Sequence, residues 1–127
     1  MADLNPPFVA SDHGDVSIFE SIDAMVALIE PIDALDGGHE FFDAYGAVLE
    51  PIPVDGRWRP MPSSAEPQIE RLDRILRAYF ARLPDRFETY ATRAASSRSL
   101  SDLIALRLEL AREPRLRPGF RYRRRRQ

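Results

Sequence analysis

The chain has 127 residues, 44% of them apolar and 30% charged, with no cysteine and a formal net charge of −2. That length fits one ordinary domain, the apolar fraction excludes wholesale disorder, and the absence of cysteine excludes a disulfide scaffold or a thiolate zinc site. No apolar run has the length of a membrane span and no basic-then-apolar leader precedes Asp3, so a soluble, cytoplasmic chain with no membrane partner is expected.

The small net charge conceals a steep gradient. Residues 1–56 contain 12 acids and no Lys or Arg; residues 57–114 carry 11 arginines and 8 acids; residues 115–127 carry 7 arginines and no acid. All 18 basic residues are arginine, which a GC-rich coding bias explains more simply than selection for guanidinium chemistry. Segregation of charge along a chain points to charged partners.

Residues 1–15 read as a flexible lead-in, with Pro6-Pro7 blocking regular structure and Ser11-Asp12-His13-Gly14-Asp15 supplying turn chemistry. Val16–Phe19 reads as a first strand. Ser21 caps a helix with Asp23 in its first turn, and Ile22, Met25, Val26 and Ile29 form its apolar face. Pro31 stops that helix by pushing Glu30 out of the helical region. Ile32–Leu35 then predicts a strand, Asp36-Gly37-Gly38 a turn, and His39–Ala44 another strand. Tyr45-Gly46 turns into Ala47–Val54, and Asp55-Gly56 makes a tight hairpin into Arg57–Arg59. Pro51 and Pro53 share a parity, which marks an edge strand with both missing N–H groups facing away from a neighbour.

Met61-Pro62-Ser63-Ser64 links to a helical half. Ser63 to Glu66 fits a capping box with Pro67 in the first turn, followed by an apolar stripe of Ile69, Leu72, Leu76, Tyr79, Phe80 and Leu83. Glu70–Arg74 and Asp73–Arg77 are i,i+4 pairs in the favourable order. Leu83-Pro84 breaks the run. Asp85 to Glu88 offers a new cap for Phe87, Tyr90, Ala91 and Ala94, and Ser99 to Asp102 caps a last helix through Arg112 that Pro114 ends.

The expected fold is α+β: a small antiparallel sheet with one N-terminal helix, in β-α-β-β order, packed against about three C-terminal helices. Residues 16–114 form a single domain with an acidic half, 16–60, and a helical half, 61–114. Each half is too small to bury its own apolar face, so both are expected to share one core. Residues 115–127 form an arginine-rich tail.

Catalytic and metal motifs are lacking, so no catalytic residue, metal or cofactor is assigned. His13 beside Asp12 and Asp15, and His39-Glu40, are the only histidine–carboxylate groupings, and neither has metal-ligand spacing; solvated turn residues are the simpler reading. The serines lack a nucleophile elbow and Gly37-Gly38 precedes no helix. The acidic surface carries more information. Asp33, Asp36, Glu40 and Asp43 surround Phe42 and Tyr45, and this group suits a basic protein partner steered by charge and anchored by an aromatic ring. The alternative is an acidic surface balanced internally by the arginine-rich half. In the tail, Arg115, Arg117, Arg121, Arg123, Arg124, Arg125 and Arg126 interleave with Phe120 and Tyr122, a composition suited to single-stranded nucleic acid. Oppositely charged ends also allow head-to-tail self-association.

Residues 16–50 carry Phe19-Glu20-Ser21-Ile22-Asp23-Ala24, then Leu28-Ile29-Glu30-Pro31-Ile32-Asp33, then Glu40-Phe41-Phe42-Asp43-Ala44-Tyr45-Gly46. This run resembles a group of uncharacterised small bacterial proteins in which a strand and helix lead into an E-P-I-D segment and a short hairpin. Small acidic domains of this build are similar, by analogy, to the immunity proteins of bacterial toxin systems. The resemblance implies a non-enzymatic recognition module, immunity-like, docking a basic partner; the alternative is a nucleic-acid-binding accessory protein that uses the tail.

Overall fold

Two dipeptides with left-handed backbone, His13-Gly14 (φ 51° and 93°) and Asp55-Gly56 (φ 50° and 77°), close the two tight hairpins of the sheet. Positive φ at both central positions is the turn whose twist matches that of the paired strands. The computed structural model describes residues 4–114. Within them run β1 (Phe8–Asp12), β2 (Asp15–Phe19), α1 (Ile22–Leu28), α2 (Pro31–Leu35), β3 (His39–Phe42), β4 (Val48–Val54) and β5 (Arg57–Pro62). Then follow α3 (Ile69–Ala81), a 3-10 turn (Asp85–Phe87) leading into α4 (Glu88–Ser96), and α5 (Leu100–Ala111). The fold is α+β, with five antiparallel strands in the order β2-β1-β3-β4-β5.

The described part of the expected lead-in is structured: residues 8–12 form a strand inside the sheet, between β2 and β3. Phe8-Val9-Ala10 is a short apolar run ending at a His-Gly turn, and it is buried on both faces rather than alternating. The strand expected at Ile32–Leu35 is instead helix α2. Pro31 does end α1, and it also occupies the first turn of the next helix, where its fixed φ and missing N–H are harmless.

Helix starts divide in the same way. Ser21 and Ser99 accept hydrogen bonds from the N–H groups of Ala24 and Asp102 (3.0 and 3.1 Å), as caps should. The Ser63 capping box does not form: its hydroxyl accepts from Ala65, and α3 begins six residues later, after Gln68 N–H donates to Gly46 O at 2.7 Å. No side-chain cap forms at Asp85 either. On α3, Leu72, Leu76 and Phe80 are buried as the stripe requires, but Ile69 is exposed.

Strand β4 is not a sheet edge, yet its prolines act as their parity implies. Pro51 faces Pro60, a rung that neither residue can hydrogen-bond, so the β4–β5 ladder runs through the residues between the prolines. The N–H groups missing from Pro51 and Pro53 therefore face β3. There the pairing stops after Phe41–Leu49 and Phe42–Val48, because the next rung needs an N–H from Pro51. The outer edge of β5 presents Trp58, Pro60 and Pro62, a row with one N–H among three residues, which blunts strand addition.

The sheet is buried on both faces, so there are two cores rather than one. On one face Val9, Val16 and Phe42 meet Leu72, Leu76, Phe80, Phe87, Leu103 and Leu110 of the α3–α5 layer. On the other, Phe8, Phe19, Phe41, Leu49 and Trp58 meet Met25, Ile29 and Ala34 of the α1–α2 layer. Trp58 packs 5.1 Å from Phe41 and donates its indole N–H to Ile29 O at 2.8 Å, tying β5 to the end of α1. Arg107 lies in the first core, with its Nη2 donating to Val16 O at 2.7 Å and its guanidinium 5.0 Å from the Tyr79 ring. The β1–β2 register turns that carbonyl away from β1, so Arg107 caps the outer edge of β2. Among the described residues no helix is long and apolar enough to cross a membrane.

Candidate functional site

The segment 20–36 holds five acids and no base, and it forms the outer layer over Trp58 and Phe41. Asp23, Glu30, Asp33 and Asp36 make no ion pair among the described residues; Glu20 lies 3.5 Å from Arg112 at an exposed contact. Three apolar side chains stand among these carboxylates: Leu28 (52% exposed), Ile32 (74%) and Leu35 (38%). Helix α2 explains why. A five-residue helix on a sheet turns one residue inward, Ala34, and leaves Ile32 and Leu35 outside. Apolar side chains open to solvent thus alternate in sequence with carboxylates that have no ion pair among the described residues. An open cleft of about 830 Å³ runs between α1 and the β4–β5 hairpin tip. Asp23, Asp55, Arg57 and Arg59 line it with Pro31 and Trp58, so opposite charges balance there, unlike on the outer face of α2.

The structure does not bring the six expected partner-binding residues together. Asp33 and Asp36 lie at α2, and Tyr45 is exposed in the β3–β4 turn. Glu40 points to the opposite face of the sheet, where Arg71 Nε and Nη2 donate to its two oxygens at 2.9 and 2.5 Å. That carboxylate holds the Arg71 pKa above its ordinary value, by hydrogen bonding first and charge second. Phe42 is 2% exposed and belongs to the α3–α5 core, so it is no anchor; Phe41, on the other face, is buried as well. Asp43 is 1% exposed, and its oxygens accept from the N–H groups of Tyr45 (2.9 Å), Ala47 (3.0 Å) and Asn5 (3.1 Å). It pins the β3–β4 turn and the entry to β1, a structural duty that leaves nothing for a partner.

The histidines converge on one carboxylate. His13 Nδ1 is 2.6 Å from Asp12 Oδ1, while His39 Nε2 is 3.9 Å from Asp12 Oδ2 and its Nδ1 is 3.2 Å from Asp33 O. His39 also stacks on Phe41 at 5.4 Å, as a packed core-side residue. Among the described residues no group of three His, Asp or Glu side chains is placed to hold a metal ion. The seven tail arginines, 115, 117, 121 and 123–126, lie outside the described residues.

Sequence reasoning missed Leu28, Ile32 and Leu35. One signal was available: Leu28 falls off the Ile22-Met25-Val26-Ile29 stripe, an apolar residue on what is otherwise the outward face of α1. Comparison with family models, curated proteins and solved structures finds no match for the chain. What it does is therefore argued from its own surfaces.

Proposed function

We propose that this chain is a non-enzymatic recognition module that docks a basic protein through the outer face of α1–α2. In the immunity-like form of this reading, docking covers the partner's own working surface. The observation that carries it is Ile32, 74% exposed and surrounded in sequence by Glu30, Asp33 and Asp36, carboxylates with no ion pair among the described residues. An apolar centre supplies desolvated contact area, while the uncompensated charge steers a cationic surface and rejects an anionic one. Strand addition is a poorer mode here, because prolines occupy the free edge of β5.

The test is capture by the immobilised full chain at low and high salt, with each captured protein identified and then purified for titration. The expected result is a basic protein that binds the parent one to one, more weakly as salt rises, and fails to bind Ile32→Asp or Glu30→Arg/Asp33→Arg/Asp36→Arg. Unchanged titrations with both variants, or an acidic partner, would overturn the reading.

The composition of residues 115–127 supports a second reading, nucleic-acid binding by the tail. Replacing Arg123–Arg126 by glutamine should then abolish binding of a labelled single-stranded oligonucleotide, while the α2 variants bind it as the parent does.

A further inference from the structure

We propose that the cleft between the β1–β2 turn and α3 binds a small phosphorylated molecule. The cleft, about 390 Å³, lies on the face of the sheet opposite α1–α2, so it stands apart from the docking surface described above. Its floor comes from β1 and β3, and one wall is α3.

Four features point to an oxyanion. Ser11 lines the cleft and is only 8% exposed, yet its hydroxyl makes no hydrogen bond to the described chain. Although the residue is largely covered, its Oγ is not among the fully buried atoms left without a partner, so it opens to the cleft and can donate to a group that enters there. Arg82 reaches across from the end of α3 and makes no ion pair among the described residues. Its guanidinium rests on Gly14, where a Cβ would come 2.6 Å from Nη2. Gly14 thus serves twice, as the left-handed turn residue and as the space that admits the guanidinium. Glu40, the carboxylate of the cleft lining, is neutralised by its two bonds to Arg71, so Arg82 leaves the lining net positive where the acidic half meets α3. His13 also lines the cleft. Asp12 holds its Nδ1 at 2.6 Å, which leaves Nε2 as the ring's other polar atom.

A guanidinium fork, a hydroxyl and an imidazole from three separate positions suit the three peripheral oxygens of a phosphate better than a flat carboxylate. The volume exceeds that of a phosphate group alone. Ile75 and Ala78 on α3 give the remaining space an apolar wall for a small organic body.

Inorganic phosphate is the probe, titrated into the full chain at ionic strength held constant with chloride and followed by amide NMR shifts. Saturable shifts at Ser11, Gly14, Gly38 and Arg82 are expected, with a rise in Tm. Ser11→Ala, which removes a hydroxyl with no hydrogen bond among the described residues, should keep the parent Tm without phosphate and weaken phosphate binding. Arg82→Gln should weaken it by about tenfold or more, and Arg82→Lys, the conservative variant, by less. Acetate in a parallel titration should bind more weakly than phosphate. Shifts confined to residues 115–127, shifts that never saturate, equal affinity in Ser11→Ala and Arg82→Gln, or tighter binding of acetate would each overturn the assignment.

Discussion

The two helical layers on either side of the sheet use their charges in opposite ways. In the α3–α5 layer, polar groups are committed to one another. Arg77 bonds Asp73 (2.6 Å) and the carbonyls of Ala94 and Ser97 (3.0 and 2.9 Å), and Arg93 meets Glu109 with a two-pronged contact at 2.8 and 2.9 Å. Asp73–Arg77 is the pair its spacing anticipated, whereas Glu70–Arg74 forms no ion pair in the structure. In the α1–α2 layer, helices of seven and five residues and their caps carry four carboxylates without a cationic partner among the described residues, and three apolar side chains of the same segment are exposed. Charge that has an internal partner ties helices together; charge left without one acts on whatever approaches. The same sheet thus carries a self-contained layer on one face and an open one on the other.

The largest expected effect tests whether the thin layer is nevertheless part of the cooperative fold. Trp58→Ala should destabilise by about 3–5 kcal/mol in urea unfolding, since it removes a buried ring and the hydrogen bond to Ile29. Because Trp58 is the sole tryptophan, its fluorescence in the parent reports the α1–α2 core while circular dichroism reports mainly the longer helices. Coincident transitions are expected; a fluorescence change that precedes helix loss would split the two layers into separate units. Next, Asp43→Ala should cost about 3 kcal/mol by leaving the N–H groups of Tyr45, Ala47 and Asn5 without their acceptor, with Asp43→Asn costing less. Arg77→Ala should cost about 1–3 kcal/mol, concentrated in the α3–α4 contact and visible as faster amide exchange in α4.

A smaller effect is pH-dependent. Burial, and then the hydrogen bond to Glu113 at 3.0 Å, hold the Tyr90 hydroxyl above its ordinary pKa. The folded state therefore keeps the proton more tightly than the unfolded chain. Its contribution is fully present below about pH 10 and is lost as pH rises through the folded value. Tyr90→Phe should lower stability at neutral pH by about 1 kcal/mol and flatten the alkaline decline. The smallest effect is the most telling for the open layer: Ile32→Ala should change stability by no more than about 0.5 kcal/mol, because the side chain is mostly in water. A large loss would mean that Ile32 supports the fold and is not held for a partner.

Much of the architecture was legible in the chain. The Asp55-Gly56 hairpin, the caps at Ser21 and Ser99, the Leu83-Pro84 break and the buried Leu72-Leu76-Phe80 stripe are local signals with local causes. The first strand was lost because four successive buried residues, Phe8 to Ser11, show no alternation, and the second helix because Pro31 both ends one helix and begins the next. Nothing local marks Arg107 as interior; its place opposite the Val16 carbonyl brings it into the core. Of the candidate docking residues, Asp33 and Asp36 lie at α2 and Tyr45 is exposed, but Phe42 and Asp43 are interior and Glu40 faces the other layer.

Composition and turn chemistry by themselves determined the charge gradient, the α+β class and the positions where the chain reverses, because those depend on neighbours a few residues apart. Tertiary structure decided which carboxylates are closed in and which have no ion pair among the described residues. The face a strand residue presents depends on sheet order and register, set by contacts between distant segments. Asp43 and Asp36 are alike in sequence; one is closed in by a turn and by Asn5, the other stands at the end of a helix too short to cover itself.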